Sequence, residues 1–168
     1  MWVPPMDVRE LRTLIAHRQR LVKMLTMTHN RLHSVIHRNN LVPPEGGFFA
    51  DKNRSWWESL ALSPVEKLQV RQDLAMLDHL ESQIAEVNQE LACLSTTSPW
   101  SEPAPYLLQL PGFGVINTMT VLSTIGDITR FPTPKKLVGY AGLGGRVHDS
   151  GQTHFTGPIT KQGRKELR

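Results

Sequence analysis

SPVEKLQVRQDLAMLDHLESQIAEVNQELACL, residues 63–94, is the stretch that decides the architecture. Val70, Leu77, Ile84 and Leu91 recur every seven residues; Leu80, Val87 and Leu94 form a companion row, with Leu74 just off it. A sustained seven-residue apolar repeat marks a helix that buries one stripe against another helix. Ser63 at the cap, Pro64 at the first helical position and Glu66 at the third fix where this helix starts.

Working outward towards the N-terminus, residues 7–39 carry a matching pattern. Asp7 can cap the start, and Leu11, Leu14, Leu21, Leu25, Leu32 and Val35 fall on the a and d positions of one heptad frame. Arg18 and Thr28 interrupt that seam, and such polar exceptions fix register at some cost in stability. Asn39-Asn40 and Pro43-Pro44-Glu45-Gly46-Gly47 then end the helix with a dense cluster of turn formers. Two long amphipathic helices joined by a turn-rich connection are expected to pack antiparallel. Phe48, Phe49, Trp56 and Trp57 are expected to cap the end of this hairpin; the rival role, base stacking, usually needs flanking basic grooves. His29, His33 and His37 share one helix face, but no nearby Cys or carboxylate completes a metal site, so solvated histidines are expected.

Composition narrows the class. With 39% hydrophobic and 20% charged residues the chain is ordinary globular protein rather than disordered. No apolar run approaches the roughly 18 residues needed to span a bilayer, and Met1–Pro5 lacks the features of a secretory signal. The single cysteine, Cys93, excludes an internal disulfide framework and a multi-cysteine zinc site, so a reducing cytoplasm is the expected location. The net charge of +4 is unevenly placed. Residues 1–100 hold as many acidic as basic side chains. Residues 101–168 set Arg130, Lys135, Lys136, Arg146, Lys161, Arg164, Lys165 and Arg168 against Glu102, Asp127, Asp149 and Glu166. A basic module behind a neutral helical region fits a polyanion partner, or a solvated surface with a mild bias.

The linker Ser95–Pro105 separates the two regions. Beyond it, Leu107-Leu108-Gln109-Leu110-Pro111-Gly112-Phe113-Gly114-Val115-Ile116-Asn117 leads into the apolar run Thr118–Ile125. A short apolar helix, a Pro-Gly-x-Gly turn and a second helix is the layout of a helix-hairpin-helix unit. Its glycines admit positive φ, and the amides at the second helix start face a phosphate without reading sequence. The alternative is an ordinary packing corner between two helices. Thr133 can cap a helix from Pro134 that turns Leu137, Val138 and Tyr140 inward and leaves Lys135 and Lys136 exposed. Ala141-Gly142-Leu143-Gly144-Gly145 then bends the chain into an extended ribbon, Arg146 to His154. Ser, His and Asp lie side by side there, but neighbours in an extended segment point in opposite directions, which excludes a hydrolase triad. On these residues alone Asp149-Ser150-Gly151 is a hairpin turn. The final stretch, Ile159–Arg168, with Lys161, Arg164, Lys165 and Arg168, suits phosphate contact or the start of a basic helix.

Leu108-Gln109-Leu110-Pro111-Gly112-Phe113-Gly114, Asp127, Arg130-Phe131, Leu137, Tyr140-Ala141-Gly142-Leu143, Ser150-Gly151, Ile159-Thr160-Lys161-Gln162-Gly163 and Leu167-Arg168, in this order and spacing, resemble the C-terminal domain of the IS-110 type insertion-sequence transposases and their IS-116 and IS-902 relatives. Trp2-Val3-Pro4-Pro5, Arg9–Arg12, Asn30-Arg31-Leu32 and Trp56–Leu62 more loosely resemble that family's helical linker. The resemblance implies a bacterial enzyme in which an N-terminal RuvC-like domain holds magnesium through four acidic residues. It further implies a C-terminal serine that attacks a DNA phosphodiester, a structured guide RNA, and a helical segment that mediates assembly. By motif the serine is Ser150, with Arg146 and Lys161 as the nearest cations for charge neutralisation. The acidic domain has no counterpart in the sequence, so no cofactor is expected in this chain, magnesium is expected only with that domain, and metal-assisted cleavage by this polypeptide alone is not.

The expectation is therefore a mainly α protein: a long antiparallel, coiled-coil hairpin over residues 1–98, then a helix-hairpin-helix-like module with a short β-ribbon over residues 99–168. The expected partners are DNA, a guide RNA and further copies of the chain through the hairpin, with no membrane. Gly112, Phe113, Gly114, Lys135, Lys136, Arg146, Lys161, Arg164, Lys165 and Arg168 are the candidate nucleic-acid contacts. The alternative is a non-enzymatic oligomerising module that binds DNA or RNA; a purely structural coiled coil is the third possibility.

Overall fold

The computed structural model describes residues 2–45, 47–49, 53–151 and 153–168, with the backbone alone at 148, 149, 153 and 154. The elements are α1 (Met6–Arg38), α2 (Arg54–Ser59), α3 (Pro64–Ser95), α4 (Ala104–Leu108), α5 (Val115–Ile125), α6 (Pro134–Ala141), β1 (Gly145–Ser150) and β2 (Thr153–Ile159). Short 3-10 turns at Ile128–Arg130 and Lys165–Leu167 complete them. The protein is mainly helical, with a two-stranded antiparallel sheet. It divides into two compact units: Ala16–Asn88, and Met1–Ile15 together with Gln89–Arg168.

In the unit 16–88, α1 and α3 run antiparallel, as the order of their polar pairs shows: Arg38 with Glu66, Arg31 with Asp73, Arg18 with Asn88. Asn40 ends α1 in the left-handed region (φ 51°). Its amide reaches His37 O at 3.2 Å while the Leu41 amide reaches Ile36 O at 3.0 Å, which satisfies carbonyls the helix would otherwise leave bare. The capping box at the start of α3 forms: the Glu66 amide donates to Ser63 Oγ and the Ser63 hydroxyl to Glu66 Oε2, both at 3.2 Å. Glu66 Oε1 also accepts from Asn39 Nδ2 and Arg38 Nη2, both at 3.0 Å, so one carboxylate joins the end of α1 to the beginning of α3. Those hydrogen bonds, Asn39 first and Arg38 next, hold its pKa below the usual carboxylate value.

The heptad residues supply the core. Leu32, Val35, Ile36, Trp57, Leu60, Leu62, Val70 and Leu77 form one buried cluster, with Leu25, Leu41, Phe48, Phe49, Trp56 and Leu74 packed against it. Burying each such side chain contributes roughly 1.5–3 kcal/mol relative to exposure. The aromatic residues do cap the hairpin: Trp57 is buried and its indole N–H donates to Phe48 O at 2.7 Å. The histidine face departs from expectation. His29 lies 4.3 Å from the Phe49 ring, and His33 lies 4.8 Å from Phe48 and 5.3 Å from Phe49. Two of the three histidines thus extend the aromatic cap instead of facing bulk water, and burial lowers the His29 pKa.

The polar interruptions have partners. Arg18 Nε donates to Asn88 Oδ1 at 2.6 Å. Thr28, buried, donates to Met24 O and accepts from Arg31, which also donates to Asp73 Oδ1 at 2.7 Å. Asp73 occupies the d position one heptad before Leu80, so the polar residue on one seam answers the polar residue on the other. Shifting the helices by a heptad would bury Asp73 against leucine, a penalty of several kcal/mol.

The second unit buries Val8, Leu11, Ile15, Leu91, Trp100, Ala104, Met119, Leu122 and Ala141. Within it α5 packs against α4 and the final 3-10 turn, which also contacts α6. Both α5 and α6 end in a glycine of positive φ, Gly126 (67°) and Gly142 (71°). Arginines from distant segments cover the carbonyls left at those ends. Arg12 donates to Ser123 O at 2.7 Å and Thr124 O at 3.1 Å; Arg168 donates to Ala141 O at 2.9 Å. A cation at a helix C-terminus also interacts favourably with the helix dipole.

Candidate nucleic-acid interface

Proline at 111 and glycine at 112 set up a tight turn: Gly112 has φ 82°, and the Phe113 amide closes onto Leu110 O at 3.0 Å. Gly112 and Gly114 are exposed, and a β-carbon added at either would meet nothing within 4 Å. Asn117 Nδ2 steadies the turn on Gly112 O at 3.3 Å. Gly114 is the N-cap of α5 and offers no side chain to its amides. Thr118 N is the first to find an acceptor, Gly114 O at 3.0 Å, so Val115, Ile116 and Asn117 present amides that donate to no other described residue. An uncapped helix start in open space attracts anions. Phe113 is half-buried beside it.

α6 begins at Pro134 as expected, although Thr133 makes no side-chain cap. Lys135 and Lys136 lie exposed in its first turn. Leu137 and Tyr140 are half-buried, whereas Val138 is 42% exposed and does not turn inward. Gly142 ends the helix, and the glycine-rich bend delivers the chain to β1.

The ribbon is a hairpin longer than its sequence signal, with Ser150 paired to Thr153 across the turn and Gly145 to Ile159 at the far end. The register shifts between Gly145 and Val147, opposite Gly157-Pro158, where proline cannot donate to the ladder. Arg146 sits at that irregularity and is exposed. Ser150 is exposed at the tip beside Gly151 (φ 57°), and no side-chain hydrogen bond or ion pair reaches it among the described residues. Gln152 and the side chains of His148, Asp149 and His154 lie outside the described residues.

The last stretch forms no helix before its 3-10 turn but folds back along the end of α6. Amide bonds run from Thr160 to Gly144 O (2.9 Å), Lys161 to Gly142 O (3.0 Å) and Arg164 to Tyr140 O (3.0 Å). Lys161, Arg164, Lys165 and Arg168 are exposed. Arg168 is partly committed to Ala141 O and Gly163 O, a role its sequence position did not reveal. Among the described residues no group of three or more His, Cys, Asp or Glu is placed to hold a metal ion, and no helix is long and apolar enough to cross a membrane. A cleft of about 790 Å³ in the hairpin unit, lined by Trp57, Leu68, Val70, Leu74 and the Arg54–Asp78 ion pair, holds none of the candidate site residues.

Comparison with known proteins gives these features a context. Residues 104–168 match the family described as Transposase IS116/IS110/IS902 family. The chain is similar to the transposase for insertion sequence element IS1111A of Coxiella burnetii, 24% identical over 165 residues, covering 96% of this chain and 44% of that protein. It is also similar to the putative transposase y4qE of Sinorhizobium fredii, 27% identical over 171 residues, covering 100% of this chain and 40% of that one. A 92-residue stretch is 34% identical to the pilin gene-inverting protein of Moraxella bovis, covering 54% of this chain and 29% of that protein. The chain thus spans less than half the length of these curated relatives.

Proposed function

We propose, from the homology of residues 104–168 to the IS116/IS110/IS902 transposases, that this chain is the DNA-binding, serine-bearing part of such a transposase. In this reading residues 1–98 are a coiled-coil linker through which copies assemble, and residues 99–168 are the partial transposase domain. The observation that carries it is the exposed Gly112–Gly114 turn opening onto the uncapped start of α5. As a helix-hairpin-helix-like element it holds a backbone phosphate on the free amides of Val115, Ile116 and Asn117, while Lys135 and Lys136 add charge. Contacts of this kind position DNA, or a guide RNA, without reading its sequence.

Ser150 is the proposed nucleophile. Its exposure at the hairpin tip leaves the hydroxyl accessible to a phosphodiester, while Arg146 and Lys161, towards the far end of the ribbon, meet neighbouring phosphates of the same strand. Arg146 lies four residues from Ser150 on β1, roughly 13 Å at the usual rise per residue. It therefore serves a neighbouring phosphate rather than the one under attack. Magnesium enters with acidic residues supplied from outside this chain. In a complete transposase, Ser150→Ala is expected to abolish the covalent protein–DNA adduct while DNA binding persists; an adduct that survives the substitution rejects the assignment. Salt-dependent DNA binding by this chain, with no adduct even when the acidic domain is supplied in trans, favours the non-enzymatic binding module instead.

A further inference from the structure

Three arginines from three separate segments converge on one phenol in the unit of residues 1–15 and 89–168. Arg130 lies with its guanidinium carbon 4.1 Å from the centre of the Trp2 ring, 4.6 Å from Phe131 and 4.7 Å from Tyr140. Arg164 Nε donates to the Tyr140 hydroxyl at 3.2 Å, and that hydroxyl donates to Thr124 O at 3.3 Å. Arg12, whose guanidinium carbon lies 5.6 Å from the Trp2 ring, holds the end of α5 and interacts electrostatically with Tyr140, Arg130 and Arg164.

What the cluster lacks is a counter-charge. Among the described residues none of the three arginines forms an ion pair with a carboxylate. The nearby acid that Arg130 influences, Asp127, already accepts from the Thr129 amide and hydroxyl at 2.8 Å and 2.7 Å. Arg130 Nη1 is buried with no hydrogen-bond partner among the described residues. Burial, and then the charges of Arg164 and Arg130, push the Arg12 pKa down. Burial alone would raise the Tyr140 pKa; the hydrogen bond from Arg164 and the positive charge of Arg164 and Arg130 beside the phenol together outweigh it and bring the pKa down. Like charges gathered without an anion repel one another, and a bound anion relieves that repulsion at once. Planar guanidinium groups beside a hydroxyl donor match the oxygens of a phosphate.

We infer that Arg12, Arg130, Arg164 and Tyr140 form a phosphate-binding site separate from the Gly112–Gly114 turn. Arg164 is its point of entry: it is exposed, and among the described residues its side chain is committed through Nε alone, to the phenol. Arg130, clamped between aromatic rings, supplies field rather than direct contact. The phosphate is either one of a nucleic-acid backbone or a free anion, and only the first source rests on the DNA-binding function proposed above.

The test uses the 168-residue chain in two arms. In the first, inorganic phosphate is titrated at constant ionic strength while NMR follows the Arg164 Nε–H and Trp2 indole resonances. Both are expected to shift saturably, and Arg164→Gln to weaken phosphate binding at least tenfold, with Tyr140→Phe weakening it less. Chloride in place of phosphate is expected to give no saturable shift. In the second arm, duplex DNA affinity is measured against salt. Arg164→Gln is expected to flatten the log–log slope by about 0.9, the value of one phosphate contact, and Arg164→Lys to restore it. Saturable phosphate binding with an unchanged DNA slope assigns the site to a free anion and rejects the nucleic-acid source. If wild type and Arg164→Gln, both folded by circular dichroism, respond to phosphate alike, the site does not exist, and DNA binding through the glycine turn is untouched by that result.

Discussion

Gly163→Ala tests how the C-terminal segment is held. A β-carbon at 163 would lie 2.4 Å from Tyr140 O, 2.5 Å from Gly142 N and 2.7 Å from the Ala141 carbonyl carbon. All three are backbone atoms, so no side chain can swing aside; the segment must lift from α6. The bonds at stake are Arg164 N to Tyr140 O (3.0 Å), Lys161 N to Gly142 O (3.0 Å) and Arg168 Nη1 to Ala141 O (2.9 Å). At about 1 kcal/mol net for each, the docking loses about 3 kcal/mol. Native-state hydrogen exchange reads this directly, and the Arg164 amide is expected to lose roughly a hundredfold in protection. Gly144→Ala is the control, because its β-carbon would meet nothing within 4 Å. Unchanged Arg164 protection in Gly163→Ala would refute the reasoning, since the clash would then have been absorbed without undocking.

Further expectations follow from the two units. Gly114→Ala is expected to leave the melting temperature within a few degrees, because the position is open and its φ is negative, yet to weaken DNA binding by roughly tenfold or more as the methyl obstructs the free amides. Equal DNA affinity in fluorescence anisotropy would remove the turn from the interface. Trp57→Ala, which empties a buried site and leaves Phe48 O without its donor, is expected to cost about 3–5 kcal/mol in urea denaturation. A loss below about 1 kcal/mol would mean that the aromatic cap is not part of the core. Glu66 has a lowered pKa, so its contribution is present above the ordinary value of 4.5 and fades as pH falls through the folded-state value. The stability gap between wild type and Glu66→Gln is therefore expected to be largest near neutral pH and to close in acid; a gap independent of pH contradicts the linkage.

The hairpin was legible because its signals are local and repeated. Ser63, Pro64 and Glu66 mark a helix start, Asn39-Asn40 an end, and the heptads identify the buried stripe, so α1 and α3 lie within a residue of their expected bounds. Asp73 carries a further signal: a carboxylate on the seam, a heptad before Leu80, calls for a partner on the other helix, and Arg31 supplies it at 2.7 Å. The surroundings of the histidines are not legible in the sequence for a different reason. Helical spacing places them on one face but says nothing about which loop covers it, and Phe48 and Phe49 return to that face from the connection.

In the C-terminal region the sequence exposes turns and conceals tethers. Gly112, Gly126, Gly142 and Gly151 all take positive φ, so the glycine pattern locates the bends correctly. The glycine caps close each helix end locally, but the side chains that cover the remaining carbonyls are distant in sequence: Arg12 reaches Ser123 and Thr124 across more than a hundred residues, and Arg168 returns to Ala141. Charge counting cannot see this division. Arg130 and Arg168 swell the basic excess of residues 101–168, yet one is enclosed by Trp2, Phe131 and Tyr140 and the other is partly tied to carbonyls. Lys135, Lys136, Arg146, Lys161, Arg164 and Lys165 are exposed and, among the described residues, their side chains hold no backbone carbonyl, so the proposed polyanion contact would fall to them. Replacing Arg168 should therefore loosen a helix end more than it changes the salt dependence of DNA binding, whereas replacing a lysine at 135 or 136 should do the reverse. That opposition separates a basic residue that builds the fold from one that meets a ligand, a distinction that composition alone never makes.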